Sequence, residues 1–291
     1  MEQPAAEGLR RIPPLVSIGI PTYGRPDRLR HALKCITNQT YKNLEIIVSN
    51  NASPGHETDQ VVKAISRYDD RIKYFRQRVN IGGNLNFKFV LDQAKGKYFI
   101  WFADDDSCDE TFISELVACL DNNPDICLVM SDVKVLEEAT SKTSDVRLSS
   151  IRLDMIYYHW EVIRRRFFAY PTSNIFFCIY GLYRTEILKD CNINFVSGWK
   201  GITFASEVPL LAQMASRGKI ASIPKLLKTY VSHSNSVYAK ERMQLNCVDR
   251  MVRHIEVRMN LTWIAIQSHL RLREKMILGC YPWIGFLYEN P

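Results

Sequence analysis

The sequence predicts an α/β fold, with a mostly parallel central sheet flanked by helices and a helical segment at the C-terminus. Two observations predict it. Runs of β-branched and aromatic residues alternate with amphipathic helical patterns through the first half of the chain, which is typical of βαβ units. The length of 291 residues, 46% of them hydrophobic, suits one large α/β domain with an appendage.

The individual elements follow from the hydrophobic pattern. Strands are predicted at Leu15–Ile20, Leu44–Val48, Ile72–Phe75, Tyr98–Phe102 and Ile126–Met130. Amphipathic helices are predicted at Arg28–Thr37, Phe87–Ala94 and Phe112–Leu120. Glu137–Ser150 is rich in Ser, Thr and charged residues and is predicted to be a mobile loop. Leu153–Phe168 is predicted to be helical. A second α/β stretch is expected to run to about Tyr230.

Three segments are expected along the chain: a polar tail at residues 1–14, the α/β domain at 15–238, and an amphipathic helical segment at 239–291. In the last segment, apolar side chains from Val248 to Met259 recur at helical spacing, with arginines between them. This helix either packs its apolar side on the domain or docks on an anionic membrane. In the second case, Trp283 and nearby tyrosines would lie at headgroup depth.

Composition limits the expected partners and cellular location of the protein. The net charge of +7 is spread along the chain without a recognised nucleic-acid module, so no nucleic-acid partner is expected. The eight cysteines are scattered, which favours reduced, mostly structural cysteines and a cytoplasmic protein. The first residues do not resemble a signal peptide, and no apolar run is long enough to span a bilayer. The oligomeric state is left open.

The strongest chemical signal is the run Asp104-Asp105-Asp106, directly after the aromatic strand Tyr98–Phe102. Three neighbouring carboxylates repel one another unless a cation or hydrogen-bond donors neutralise them. Two oxygen ligands from such a turn, completed by diphosphate oxygens, suit an octahedral Mg²⁺ or Mn²⁺ ion. The alternative is a solvated acidic turn that caps the next helix.

Two further loops follow predicted strands, at the sheet edge where open α/β sheets bind ligands. Pro21-Thr22-Tyr23-Gly24-Arg25-Pro26 offers an aromatic face for a base and a cation for a phosphate, ahead of a helix N-terminus. Asn50-Asn51-Ala52-Ser53 offers amide groups for a base. Taken alone, each loop fits a simple turn as well.

Together these motifs resemble the family 2 glycosyltransferases, which have the Rossmann-like, nucleotide-sugar-binding GT-A fold. The resemblance rests on VSIGIPTYGRPDRLRHALKCITNQTYKNLEIIVSNNAS and RVNIGGNLNFKFVLDQAKGKYFIWFADDD. It is dense over Val16–Met130, sparser through Ile179–Leu188 and Ser206–Ile220, and fades after about Tyr238. It implies transfer of a sugar from a nucleotide-sugar donor, with inversion at the anomeric carbon and usually with a divalent metal.

The resemblance implies that residues of four segments bind the donor: Pro21, Thr22, Tyr23, Arg25, Asn50, Asn51, Asn80, Gly82, Asn86, Asp104 and Asp105. Thr22 and Tyr23 match positions that hold the nucleobase. Asn50 and Asn51 stand where the family commonly has an aspartate that reads the imide N–H of the base. An amide carbonyl still accepts that hydrogen bond, but it is uncharged and less selective.

The resemblance also implies a metal site and a catalytic base. Mn²⁺ or Mg²⁺ is expected on Asp104 and Asp106, with His233 as a third ligand or a phosphate contact; a surface-loop histidine is the alternative. Glu207 is expected to be the base, because an inverting transfer needs one carboxylate to take the proton of the acceptor hydroxyl. The alternative for Glu207 is a first-turn charge favoured by the helix dipole.

The predicted function is therefore a metal-dependent inverting glycosyltransferase that uses a UDP- or dTDP-sugar. Its acceptor is expected to be a glycan or lipid-linked saccharide of a surface polysaccharide such as O-antigen or capsule. A sugar nucleotidyltransferase is one alternative, although that class expects a Gly-rich GxG-type loop where this chain has PTYGRP. A protein that binds a nucleotide sugar without turnover is another, and Asn50 and Asn51 keep it open.

Overall fold

The computed structural model describes residues 12–148, 174–191, 207–233 and 246–267. These residues form a nine-stranded sheet with helices against both faces. The strands are β1 (Val16–Thr22), β2 (Leu44–Asn50), β3 (Ile72–Arg76), β4 (Tyr98–Trp101), β5 (Ser107–Cys108), β6 (Ile126–Glu137), β7 (Lys142–Val146), β8 (Leu182–Arg184) and β9 (Lys219–Ser232). The helices are α1 (Pro26–Thr37), α2 (Glu57–Ser66), α3 (Gly83–Asp92), α4 (Phe112–Asn122), α5 (Thr185–Lys189), α6 (Glu207–Arg217) and α7 (Cys247–Gln267), with a 3₁₀ helix at Asn174–Tyr180.

The order of the strands confirms the predicted βαβ units. It runs β3-β2-β1-β4-β8-β6-β9-β5, with β7 paired to β6. The first four strands are parallel neighbours, β8 is antiparallel to β4 and to β6, and β9 is parallel to β6 over its whole length. Because the first four strands point the same way, their carboxyl ends meet at one edge of the sheet.

The strands β1, β2 and β4 are buried on both faces of the sheet, because successive side chains point to opposite sides and both sides are covered by helices. In β4, Tyr98 belongs to the core cluster that includes residues of α1, α2 and α4, whereas Trp101 belongs to the cluster that includes residues of α3 and α6. Gly19 in β1 allows α3 to pack closely. A Cβ at this position would lie 2.6 Å from Cγ2 of Val90.

The second half of the chain corrects one prediction. The mobile loop expected at Glu137–Ser150 is wrong, because β6 continues to Glu137 and β7 returns beside it as an antiparallel hairpin. Pattern reading missed the hairpin since β7 is polar and mostly exposed and has no apolar alternation. The helix predicted at Leu153–Phe168 lies outside the described residues.

The predicted C-terminal helix is present as α7, which packs against α6 and places Val257 against the core. Val248, Met259, Trp263 and Ile266 are exposed, and at 3.6 residues per turn they lie on one side of the helix; we call these four residues the apolar stripe. The helix thus contacts the domain and also has exposed apolar side chains. Among the described residues, no helix combines the length and apolarity that a membrane span needs. The segment boundaries after residues 14 and 238 stay predictions.

Candidate active site

The candidate site lies where the parallel strands end. Thr22 is the last residue of β1, Asn50 the last of β2 and Arg76 the last of β3, while Asp104 lies three residues beyond the end of β4. The sheet therefore brings together three of the segments that the sequence predicts to bind the donor. The contacts between them can be followed residue by residue.

The acidic turn contacts the loop that follows β1. The hydroxyl of Thr22 donates to Oδ2 of Asp104 at 2.7 Å. Nη1 of Arg25 lies 3.3 Å from Oδ1 of Asp104 and 2.7 Å from Oδ2 of Asp105. Asp104 is 6% exposed and Arg25 is half-buried, so this contact is partly shielded from solvent. Thr22 and Arg25 thus hold the acidic turn, which leaves their predicted donor contacts untested.

Asp106 forms a buried ion pair with a lysine that sequence reasoning missed. Nζ of Lys228, in β9, lies 3.0 Å from Oδ2 of Asp106, and the two residues are 3% and 0% exposed. The ammonium group also lies over the rings of Phe102 and Tyr180, at 4.4 and 4.8 Å from their centroids. The available signal was a lysine that directly follows two leucines of a strand, in Leu226-Leu227-Lys228. A buried lysine is rarely found without a partner.

Burial changes the pKa values of two carboxylates of the turn. Burial raises the pKa of Asp104 to about 6, with the adjacent Asp105 adding to the rise and with Thr22 and Arg25 opposing it. Burial also raises the pKa of Asp106, against the pull of Lys228. The raised pKa values of both carboxylates indicate that the nearby cations and hydrogen bonds only partly offset the cost of burying these charges.

The acidic turn fits a divalent cation that is shared with phosphate oxygens. Oδ2 of Asp106 is buried, and Nζ of Lys228 lies 3.0 Å from it as a charge partner without the geometry of a hydrogen bond. Mg²⁺ commonly takes only one or two protein carboxylates. Asp104 and Asp106 are the residues that would hold it. Within the described part of the chain, however, no three His, Cys, Asp or Glu side chains form a metal-binding group. A metal here would depend on donor oxygens to complete its shell.

His233 makes a different contact from the predicted one. Its Nε2 atom lies 2.8 Å from Oδ2 of Asp105, the middle carboxylate, and its ring is largely buried. Its Nδ1 atom is buried and has no partner among the described residues. Each carboxylate of the turn is therefore beside a basic side chain of the protein itself: Arg25, His233 or Lys228. The metal-ligand role of His233 stays a prediction.

The two asparagines after β2 have their side chains engaged within the protein. Nδ2 of Asn50 donates to Asp59 and to the hydroxyl of Tyr74, and its Oδ1 accepts from the backbone N–H of Ser53. Arg76 completes this cluster by donating to both carboxylate oxygens of Asp59. Asn50 is fully buried, so its contacts shape the loop after β2. Reading of a base by Asn50 stays a prediction.

Asn51 links that loop to the segment before α3. Its Nδ2 donates to Oδ1 of Asn80, and its Oδ1 accepts from the backbone N–H of Ile81. Gly82 follows with φ of +85°, in the left-handed region that glycine adopts without steric cost. Asn86 is buried in α3, where it bonds the side chain and the carbonyl of Ser49. The predicted donor segment from Asn80 to Asn86 therefore lies beside β2.

The remaining predicted residues have contrasting positions. Pro21 is buried in β1, whereas the ring of Tyr23 is 47% exposed. The turn at Gly24 is held by its backbone N–H, which donates to the hydroxyl of Ser53 at 2.8 Å. Tyr23 is thus a partly exposed aromatic side chain in the loop that follows β1. Glu207 is the first residue of α6, but its side chain lies outside the described residues.

A Rossmann-like sheet of this kind, with an acidic turn after β4, is the architecture of the GT-A glycosyltransferases. The chain belongs to glycosyl transferase family 2, whose sequence profile matches residues 17–191, more than half of the chain. The sequence resemblance and the predicted fold class are thereby confirmed.

Curated relatives agree with this assignment. An uncharacterized glycosyltransferase of Haemophilus influenzae is 26% identical over 239 residues, which cover 79% of this chain and 70% of that protein. A GalNAc(5)-diNAcBac-PP-undecaprenol beta-1,3-glucosyltransferase of Campylobacter jejuni is 46% identical over 94 residues, 32% of this chain and 30% of that protein. The abequosyltransferase RfbV of Salmonella typhimurium is 35% identical over 116 residues, 39% and 35% of the two chains. The last two matches span about a third of those relatives.

Solved structures support the fold. Staphylococcus aureus TarS 1-349 in complex with UDP-GlcNAc has a TM-score of 0.66 at 16% identity, covering 94% of this chain and 73% of that one. The mannosyltransferase PcManGT of Pyrobaculum calidifontis, in complex with GDP-Man and Mn²⁺, has a TM-score of 0.57 at 17% identity, covering 94% and 70%. At these identities the likeness concerns the fold alone.

Proposed function

We propose that this glycosyltransferase transfers a sugar, with inversion, from a UDP- or dTDP-sugar to a glycan or lipid-linked acceptor. The observation that carries the proposal is the buried acidic turn Asp104–Asp106, beside the carboxyl ends of β1 and β2. A nucleoside diphosphate bound at this edge places its phosphates against the turn. The exposed ring of Tyr23 is then free to stack on the base.

Such a transfer requires a base and positive charge near the leaving group, and several residues of this chain can provide them. The bond between the acceptor oxygen and the anomeric carbon forms while the bond to the donor diphosphate breaks. Glu207 takes the proton of the acceptor hydroxyl, and the nucleoside diphosphate leaves. Arg25 and Lys228 keep positive charge at the turn, which favours the departing diphosphate. A divalent ion on Asp104 and Asp106, Mn²⁺ or Mg²⁺, would supply further positive charge to that group.

The relatives support the proposed substrates. The TarS structure contains UDP-GlcNAc and the PcManGT structure contains GDP-Man, which supports a nucleoside-diphosphate sugar as donor. The relative from Campylobacter jejuni is named for an undecaprenol-diphosphate-linked glycan, and the Salmonella typhimurium relative for abequose transfer. These names support a lipid-linked acceptor and a role in surface polysaccharide synthesis. The sugar and the linkage stay open.

Calorimetry with UDP tests the donor site. We expect UDP to bind, and to bind more tightly with Mn²⁺ present, because a metal ion at the turn would offset the repulsion between its carboxylates and the diphosphate. Tyr23→Ala is expected to weaken UDP binding by about 1–3 kcal/mol, since it removes the stacking surface. Tyr68→Ala is the matched control, because Tyr68 is 91% exposed and lies on the α2–β3 connection. If no nucleoside diphosphate binds, both the transferase proposal and the binding-protein alternative lose their site.

The second part of the proposal concerns location at the cytoplasmic face of a membrane. The apolar stripe of α7 is exposed, while arginines at positions 250, 253 and 258 are interleaved in the same helix. Exposed apolar side chains combined with basic residues favour an anionic lipid surface. A lipid-linked acceptor would lie in that surface.

Flotation with vesicles tests the membrane contact. The protein is expected to float with vesicles that contain anionic lipid and to remain unbound with zwitterionic vesicles at moderate salt. The double change Met259→Ser/Trp263→Ser is expected to weaken partitioning on the order of tenfold or more, because each side chain contributes about 1.5–3 kcal/mol when fully buried. Tyr68→Ser, an exposed aromatic residue elsewhere, serves as the control. Equal flotation of all variants would argue against docking through α7.

A further inference from the structure

Two cysteines meet directly behind the acidic turn. Cys35 lies in α1 and Cys108 in β5, and their Sγ atoms are 3.8 Å apart. The backbone N–H of Cys108 donates to Sγ of Cys35 at 3.1 Å, and the thiol of Cys35 contacts the carbonyl of Cys108 at 3.0 Å. Gln39 holds the pair together, since its amide donates to Sγ of Cys108 and to the carbonyl of Asp109. The two sulfurs are thus aligned by hydrogen bonds on both sides.

This pair differs from the other described cysteines. Cys127, Cys178 and Cys191 are buried, and burial raises the pKa of Cys119. Cys35 and Cys108 are only partly buried, as Cys119 is, and their two sulfur atoms lie 3.8 Å apart. The pKa of Cys35 is lowered to about 6, chiefly by the thiol of Cys108, with the N–H of Cys108 and the charges of His31 and Lys228 adding to the effect and burial opposing it. A thiolate beside a second thiol is the arrangement that oxidants attack most readily.

We propose that Cys35 and Cys108 form a modification site for hydroperoxides, in which oxidation closes a reversible disulfide between α1 and β5. The Cys35 thiolate attacks one oxygen of hydrogen peroxide, which gives a sulfenic acid and releases hydroxide that is protonated to water. The thiol of Cys108 then attacks that sulfur, the S–S bond forms, and a second water leaves. Peroxide is reduced by two electrons, and the two thiols supply them.

We expect formation of the disulfide to change the donor site, because the backbone connects Cys108 to the acidic turn. An S–S bond of about 2.05 Å requires the two sulfurs to move closer by nearly half of their separation. Cys108 is only two residues from Asp106, and in the sheet it pairs directly with Lys228. A shift of β5 toward α1 therefore acts on both members of the buried ion pair. We expect the disulfide form to bind UDP more weakly than the reduced form.

Non-reducing peptide mapping tests the site. The full-length protein is treated with hydrogen peroxide, digested under conditions that block free thiols, and analysed by mass spectrometry. A linked peptide pair containing Cys35 and Cys108 is expected, lost in Cys35→Ser and Cys108→Ser and retained in Cys119→Ser. If Cys119 is oxidised as fast as Cys35, or if no such linked pair forms, the proposal is overturned. Cys35→Ala provides a second variant if a serine destabilises α1.

A second experiment tests whether the disulfide weakens UDP binding at the donor site. UDP affinity, measured by calorimetry, is expected to fall on oxidation and to return with dithiothreitol, while Cys35→Ser is expected to keep the affinity of the reduced protein in peroxide. Unchanged affinity of the linked form would overturn the coupling. The peptide map does not depend on the proposed transferase function, so a reduced protein that binds no UDP would count against that function and leave the disulfide result intact.

Discussion

Replacing Glu207 with glutamine is expected to lower the rate of sugar transfer by about 10²–10⁴-fold while affinity for UDP stays nearly unchanged. Glutamine keeps the size and the hydrogen-bonding capacity of the side chain but cannot accept the proton of the acceptor hydroxyl. The transfer rate is measured with a nucleotide-sugar donor, and the affinity by calorimetry with UDP. A large loss of rate with intact binding identifies a group that acts in the chemical step.

The control separates the chemical role of Glu207 from a helix-dipole role. Glu186 is an exposed acidic residue in the first turn of α5, so Glu186→Gln removes a comparable charge near a helix N-terminus. Both changes are expected to cost at most about 0.3–1 kcal/mol in stability through the dipole. If Glu207→Gln retains full activity, the base lies elsewhere and Glu207 is a helix-start charge.

Replacing Lys228 with methionine is expected to destabilise the protein by about 3–5 kcal/mol, because it leaves the Asp106 carboxylate buried without its cation. Methionine has a similar length and keeps contact with the rings of Phe102 and Tyr180. Urea unfolding without donor or metal measures the free energy of unfolding. The double change Asp106→Asn/Lys228→Met is expected to recover most of the loss, since it removes both buried charges.

Lys225 provides the matched comparison, because it is on the same strand and also pairs with an acid. Its Nζ lies 2.6 Å from Oε1 of Glu115, but the two side chains are 54% and 35% exposed. Lys225→Met is expected to cost at most about 1 kcal/mol, as is usual for solvent-exposed pairs. If Lys228→Met and Lys225→Met destabilise equally, the contact between Lys228 and Asp106 does not act as a buried pair.

Local sequence patterns predicted β1 to β4, α1, α3 and α4 in the N-terminal half of the fold, but they missed α2. The apolar side chains of α1 and α4 occur at helical spacing, and both helices bury the predicted faces. The strand β4 was recognisable because four consecutive aromatic and aliphatic residues are buried on both faces. In contrast, β7 is polar and is held by pairing with β6, so no local pattern marks it. Secondary structure that depends on a partner strand is not encoded in the periodicity of its own segment.

The candidate site shows the same division. The run of aspartates, the loop with Tyr23 and the family membership are readable from the residues in order. The sequence does not show that Asp106 lies against Lys228, because the two residues are more than a hundred positions apart in the chain. They also do not show that Asn50 turns inward to Asp59 and Tyr74.

The sequence by itself determined the class of fold, the loops that follow the parallel strands and the acidic character of the turn. These features follow from hydrophobic periodicity and residue type. Only the tertiary structure decided how the charges of that turn are balanced and which cysteines meet. The physical reason is that ion pairing, burial and thiol proximity depend on distances through space. The antiparallel pairing of β5 with β9 and the packing of α1 against β5 bring these residues together.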